Sequence, residues 1–129
     1  NLKQWKLKES DQCTFCGLEC ETLKHILWDC MYVHRIWEAL FNWVTETTNT
    51  TITFTAKDIL LGITFEEMIV FNCIFIITKQ YIYASKCLDK KPDFNQLLRK
   101  IKYQKNVEKY ISIKNNKLQS YENKWSILD

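Results

Sequence analysis

Glycine and proline are scarce: the 129-residue chain holds two of the first and one of the second. So few turn-formers exclude a loop-rich fold and leave no glycine-rich cradle for a nucleotide phosphate. Long apolar runs are missing too. The longest, MIVFNCIFII at residues 68–77, is interrupted by Asn72, and its ten residues fall well short of the roughly 20 needed to cross a bilayer. The N-terminal NLKQWKLKES lacks the apolar region of a secretory signal, so an intracellular protein of the cytoplasm or nucleus, with no membrane partner, is expected. No methionine stands at position 1, and the chain is expected to be a piece of a longer protein. Catalytic signatures are absent as well. There is no P-loop, G-x-S-x-G or H-E-x-x-H, and no cluster of aspartates of the kind a polymerase uses to bind metal. The pair Glu66 and Glu67 falls at an expected helix start, where the helix dipole already accounts for it. On these grounds the segment itself is expected not to be an enzyme and to take no small-molecule substrate.

What is present is apolar and cysteine-rich. A hydrophobic share of 47% is ample for one buried core, so a single domain over residues 1–129 is expected. Six cysteines could pair as three disulfides. Such scaffolds normally replace a core that this chain can build, so reduced thiols are expected instead.

Hydrophobic spacing divides the chain into a short irregular segment and a series of helices. Residues 1–21 show no sustained period. From Thr22 onward Leu23, Ile26, Leu27, Cys30, Val33, Trp37, Leu40, Phe41 and Val44 recur at three and four, which predicts a helix over 22–46 ending near TETTNTT. In ITFTAKDILLG, Thr55 is an N-cap for a short helix that stops at Gly62. Thr64 with Glu67 forms a capping box for a second main helix over 64–87, apolar nearly all round and therefore central. A third main helix is expected over 92–113, with Pro92 in its first turn and a stripe of Phe94, Leu97, Leu98 and Ile101. After Ile111 the pattern thins into what reads as an irregular tail. The expected fold is all-α, with a cysteine knuckle (1–30) leading into a bundle of about three main helices.

The knuckle is CTFCGLECETLKHILWDC, residues 13–30. Cys13, Cys16, His25 and Cys30 read C-x2-C-x8-H-x4-C, three sulfurs and an imidazole that suit a closed tetrahedral structural zinc site. Two thiolates spaced C-x-x-C can grip one ion from a tight turn, and Gly17 permits the backbone that follows. The difficulty lies in His25 and Cys30. Residues five apart on an ideal helix point about 140° away from each other, so this pair requires a widened or frayed first turn. Cys30 with His34, spaced i,i+4, is an alternative that needs no distortion, and Cys20 is a further candidate sulfur. A redox-active C-x-x-C would follow a strand, and none precedes this one. Cys73 and Cys87 read as buried small hydrophobes.

CTFCGLECETLKHILWDC, continued by MYVHRIWEALFNWV, resembles the zinc-binding segment near the C-terminus of LINE-type (non-LTR) retrotransposon reverse transcriptases. The features that carry the resemblance are Cys13, Cys16, Gly17, Glu21-Thr22, His25, Trp28, Cys30 and Trp37. DILLG (58–62) and FNCIFIITKQYIYASK (71–86) resemble the helical region that follows. The resemblance implies an accessory part of a polyprotein that is an RNA-directed DNA polymerase with an endonuclease. It implies contact with template RNA or target DNA. The alternative is a structural module: five tryptophans and seven phenylalanines exceed what a core of this size needs and would leave an apolar patch for docking on the polymerase region of the same polypeptide. The ligands that the resemblance implies are Cys13, Cys16, His25 and Cys30.

Charge placement gives separate support for an anionic partner. Residues 1–85 carry seven Lys or Arg against ten Asp or Glu, whereas residues 86–129 carry eleven against five. Lys86, Lys90, Lys91, Arg99, Lys100, Lys102, Lys105 and Lys109 are the candidate phosphate contacts, with Tyr103, Tyr110 or Trp125 available to stack on bases. These lysines do not fall on one tight helical face, so a diffuse, phosphate-directed contact is expected rather than base readout.

Overall fold

A computed structural model describes residues 12–62 and 68–128. Within them the chain is helical, and its one extended pairing is an isolated antiparallel bridge between Gln12 and Cys20. The elements in order are a π-helical turn (His25–Asp29), α1 (Met31–Thr48), α2 (Ala56–Leu61), α3 (Ile69–Cys87), α4 (Phe94–Lys114), α5 (Leu118–Trp125) and a closing 3-10 turn (Ser126–Leu128).

The continuous helix expected over 22–46 is split at Cys30. The Cys30 N–H donates to the His25 carbonyl at 2.8 Å, an i→i+5 bond that adds one residue to the turn. Cys30 itself takes an extended ψ of 135° before α1 begins. The Trp37 indole N–H then donates to the Leu27 carbonyl at 2.8 Å, tying the π turn to α1. At the far end α1 stops at Asn49, which adopts the left-handed φ of 55° that asparagine tolerates at a helix terminus. The face read from spacing is the buried one, since Ile26, Leu27, Cys30, Val33, Trp37, Leu40 and Val44 all lie in the core. Leu23 departs from it and is exposed, while Ile36 joins the core instead.

α2 forms as expected. Thr55 and Asp58 exchange hydrogen bonds as a capping box, and Gly62 ends the helix at a φ of 88°. The capping box expected at Thr64 and Glu67, the acid pair Glu66-Glu67 and the first residues of the 64–87 helix lie outside the described residues.

α3 packs against the π turn, α4 and α5 and is central in that sense. It buries Val70, Phe71, Ile74, Phe75, Tyr81 and Ile82, but it is not covered all round: Ile69, Ile76 and Tyr83 are about half exposed or more. Its buried hydroxyls are satisfied within the helix, Thr78 donating to the Ile74 carbonyl and Ser85 to the Tyr81 carbonyl. The Cys87 thiol is exposed and Cys73 is half-buried, so neither is the fully buried small hydrophobe expected.

α4 begins one residue past its cap, Asp93, whose carboxylate accepts from the Asn95 N–H. Pro92 therefore precedes the helix rather than occupying its first turn. The irregular tail expected after Ile111 is helical instead. α4 runs to Lys114, and α5 lays Tyr121 and Trp125 into the core, followed by Leu128 from the closing turn. Those three apolar residues recur at helical spacing, but among Asn, Lys and Ser the stripe is too sparse to stand out in sequence. Docking holds it. Glu108 of α4 accepts from Lys124 Nζ at 2.8 Å and from the Trp125 indole N–H at 3.1 Å. Burial pushes the Glu108 carboxyl up, but hydrogen bonds from Lys124, Gln104 and Trp125 outweigh it and hold the group below the usual carboxylate range.

Candidate metal centre

The knuckle is a tight turn fastened at both ends. Gly17 N–H donates to the Cys13 carbonyl at 2.9 Å, and Gly17 takes the positive φ of 67° that glycine adopts without strain. Cys13 N–H donates to the Glu19 carbonyl at 2.8 Å, closing the loop beside the Gln12–Cys20 bridge. The result brings Cys13 and Cys16 to one side of the turn.

The other two donors come from the π turn. Thr22 Oγ accepts the His25 N–H at 3.0 Å, and the widened turn carries Cys30 back over His25. Cys13, Cys16, His25 and Cys30 thereby place one donor atom each within 4.8 Å of one another, and together could hold a metal ion. The Cys13 and Cys30 sulfurs are 3.7 Å apart, and Cys16 Sγ is 3.5 Å from His25 Nε2. Three of the four side chains are buried and Cys16 is half-buried, so the cluster sits at the edge of the core with one side toward solvent.

Electrostatics differ sharply between the two ends of the cluster. Burial pushes the Cys16 thiol up, but N–H groups of Leu18 and Glu19 together with His25 and Cys13 outweigh it and bring it down to about 6. At Cys30 burial dominates, and despite hydrogen bonds from the Tyr32 and Val33 N–H groups the thiol is pushed up to about 11, with Cys13 adding to the rise. Backbone N–H groups thus point at both the Cys16 and Cys30 sulfurs, but only at Cys16 do they outweigh burial.

The two alternative ligands are set apart. Cys20 is exposed and outside the cluster. His34 lies on the solvent side of α1, where Nε2 is 3.5 Å from the Glu38 carboxylate and the ring meets Trp28 edge-on. A break at Cys30 turns its sulfur toward the knuckle, away from the direction that an uninterrupted helix would have given it beside His34.

One residue that spacing did not single out as functional holds this centre to the bundle. Glu21 has a side chain only 6% exposed; it accepts from the Thr14 N–H and hydroxyl at 3.0 and 2.8 Å, and it pairs with Lys86 of α3 at 3.4 Å. A glutamate beside a buried histidine turn was the available signal, but its lysine partner lies far along the chain. Lys86 is correspondingly not a free phosphate contact. Its side chain is 12% exposed and committed to Glu21.

The remaining candidate phosphate contacts are arranged differently from one another. Lys90 and Lys91 are exposed near the α3–α4 connection, and Lys91 Nζ sits 4.3 Å from the Tyr32 ring centroid. Arg99, Lys100, Lys102 and Lys109 are exposed on α4, and Lys105 is half-buried. Among the possible stacking residues, Tyr103 and Tyr110 are 70% and 61% exposed. Trp125 is fully buried against Glu108 and offers no face to a base. α4 buries Leu97, Ile101 and Ser112; a helical repeat puts Arg99, Tyr103 and Tyr110 on the far side of the helix and Lys102 and Lys109 on one flank, all of them exposed, with Arg99 and Tyr103 at the rim of the cleft toward α3. α4 carries six cations and one acid, and that acid, Glu108, is turned inward.

Among the described residues no helix is long and apolar enough to cross a membrane. Comparison of the chain with protein-family models, curated proteins and solved structures returned no match.

Proposed function

We propose that this chain is a zinc-stabilised, nucleic-acid-binding accessory module of a LINE-type (non-LTR) reverse transcriptase, contacting template RNA or target DNA. Donor chemistry and spacing support zinc as the metal. Bonds of about 2.3 Å to sulfur and about 2.0–2.1 Å to nitrogen, arranged tetrahedrally, require S–S edges of about 3.8 Å and S–N edges of about 3.5 Å. Two of the six donor–donor separations, 3.7 Å for Cys13–Cys30 and 3.5 Å for Cys16–His25, fit those edges, and the others lie within 4.8 Å. Four protein donors close the coordination sphere, which suits a structural ion rather than one that activates water. The segment itself is not an enzyme; polymerase and endonuclease activities belong to other parts of the parent polyprotein.

The observation that carries the nucleic-acid reading is the solvent face of α4, where Arg99, Lys102 and Lys109 alternate with exposed Tyr103 and Tyr110 and no acid intervenes. Cations meet phosphates and tyrosine rings meet bases, a combination suited to a flexible strand. A salt titration with single-stranded RNA tests it. If about three phosphates are neutralised, log K falls against log salt with a slope of about −2 to −3. A flat response contradicts the reading.

A second reading, a structural module docking on the polymerase region of the same polypeptide, draws on Ile69, Ile76 and Tyr83, which leave an apolar stripe uncovered along α3. Ile76→Lys separates the two: it weakens association with the polymerase region in the docking case and leaves RNA affinity unchanged or slightly raised.

A further inference from the structure

A groove of about 650 Å³ opens between α3 and α4, lined among others by Gln80, Tyr81, Arg99, Lys100, Tyr103 and Gln104. Its volume falls within the range of small-ligand sites. No acid lines it. Its floor is fixed: the Tyr81 hydroxyl donates to Gln96 Oε1 at 2.9 Å and accepts the Asp93 N–H at 2.8 Å, pinning the start of α4 to α3. Lys100 Nζ stands 6.0 Å from the centroid of the buried Tyr81 ring. Gln104 is oriented by donating its amide to Glu108 at 2.8 Å, which leaves its carbonyl oxygen as an acceptor. At the mouth Tyr103 is open to solvent, and Arg99 is joined to no acid among the described residues.

The three kinds of group present are those that one unpaired nucleotide uses. A π face takes the base, amides meet its hydrogen-bonding edge, and a pair of cations takes the adjoining phosphate. A base held inside a duplex offers neither its face nor its pairing edge, so this arrangement discriminates by strandedness. We propose that the α3–α4 groove is a site for one unpaired nucleotide of an RNA or DNA strand, with the base on Tyr103 and the phosphate on Arg99 and Lys100. This deepens the nucleic-acid reading above and rests on it. The groove gives the module a preference for single-stranded over duplex nucleic acid, which the diffuse cationic face of α4 alone does not supply.

Fluorescence anisotropy with the zinc-loaded chain tests the site, using labelled eight-nucleotide oligo-U and oligo-dT, a duplex of matched length, and inorganic polyphosphate as an anion without bases. The expected result is tighter binding to both single strands than to duplex or polyphosphate. Tyr103→Ala lowers single-strand affinity about tenfold, within the range of one lost base stack, while duplex affinity stays unchanged. Tyr103→Phe restores binding because the ring remains, and Tyr110→Ala leaves the single-strand to duplex ratio as it was. Tyr103 is exposed, so each variant keeps its fold, as unchanged zinc content and circular dichroism verify. Equal loss on every ligand, no loss at all, or polyphosphate binding as tightly as the oligonucleotides overturns the groove while sparing cationic binding. If the unaltered chain binds none of these ligands, the nucleic-acid reading fails and the groove falls with it.

Discussion

Cys16 occupies the least covered corner of the four-donor cluster, with its sulfur 3.5 Å from His25. Replacing it by serine exchanges a soft anionic donor for a neutral hydroxyl that binds zinc poorly. Cys16→Ser is expected to release the metal and unravel the π turn, read as lost zinc on metal analysis and reduced helical circular dichroism. Cys20→Ser and Cys73→Ser, both outside the cluster, leave metal content unchanged. The four clustered donors were legible because soft donors at short spacing form a local pattern that needs no knowledge of tertiary packing. The widened turn between His25 and Cys30 followed from the same spacing. Lys86 and Trp125 were not legible. Their partners, Glu21 and Glu108, reach them only once the chain has folded, and a lysine or tryptophan in text looks the same whether solvated or committed.

At the scale of elements, α5 depends on α4 more than on its own sequence. Only eight residues long, it is too short to be stable alone and draws its stability from Tyr121, Trp125 and the bonds to Glu108. Glu108→Ala is expected to cost about 1–3 kcal/mol, since it removes a half-buried carboxylate that serves charged and neutral donors together. Chemical denaturation followed by tryptophan fluorescence reads both that loss and the exposure of Trp125. The same group sets a pH response. Its folded pKa lies below the ordinary 4.5, so the stabilisation is fully present above that value and is lost as pH falls through the depressed folded pKa. Stability of the Glu108→Ala variant is therefore flatter over that acid range than that of the unaltered chain. Helix ends marked by local chemistry, such as Thr55, Gly62 and Asn49, were readable from residues. The break at Cys30 was not, because the apolar period runs across it without interruption, and neither was α5, because its apolar residues are outnumbered by polar neighbours.

On the scale of the whole molecule, two fastenings hold the N-terminal knuckle: four donors arranged around one point, and the Glu21–Lys86 pair that ties the knuckle to α3. Without an ion, three sulfurs and an imidazole are drawn together only by weak sulfur hydrogen bonds, so metal binding and knuckle folding are expected to be coupled. Chelation is expected to lower the unfolding midpoint and strip protection from amides of residues 13–30, while α3 and α4, which are joined by their own packing and by the Tyr81 hydroxyl, keep most of theirs in hydrogen exchange. Net charge, helical content and core composition were all readable in advance. Which part of α3 stays uncovered was not, because an apolar helix records what it can bury and not what reaches it. Zinc K-edge X-ray absorption on the purified chain, with metal quantified in the same sample, tests the central claim most directly. One zinc per chain with three sulfurs near 2.3 Å and one nitrogen near 2.0–2.1 Å is the predicted result. A chain that folds cooperatively with no bound metal, or a shell with a different sulfur count, contradicts it.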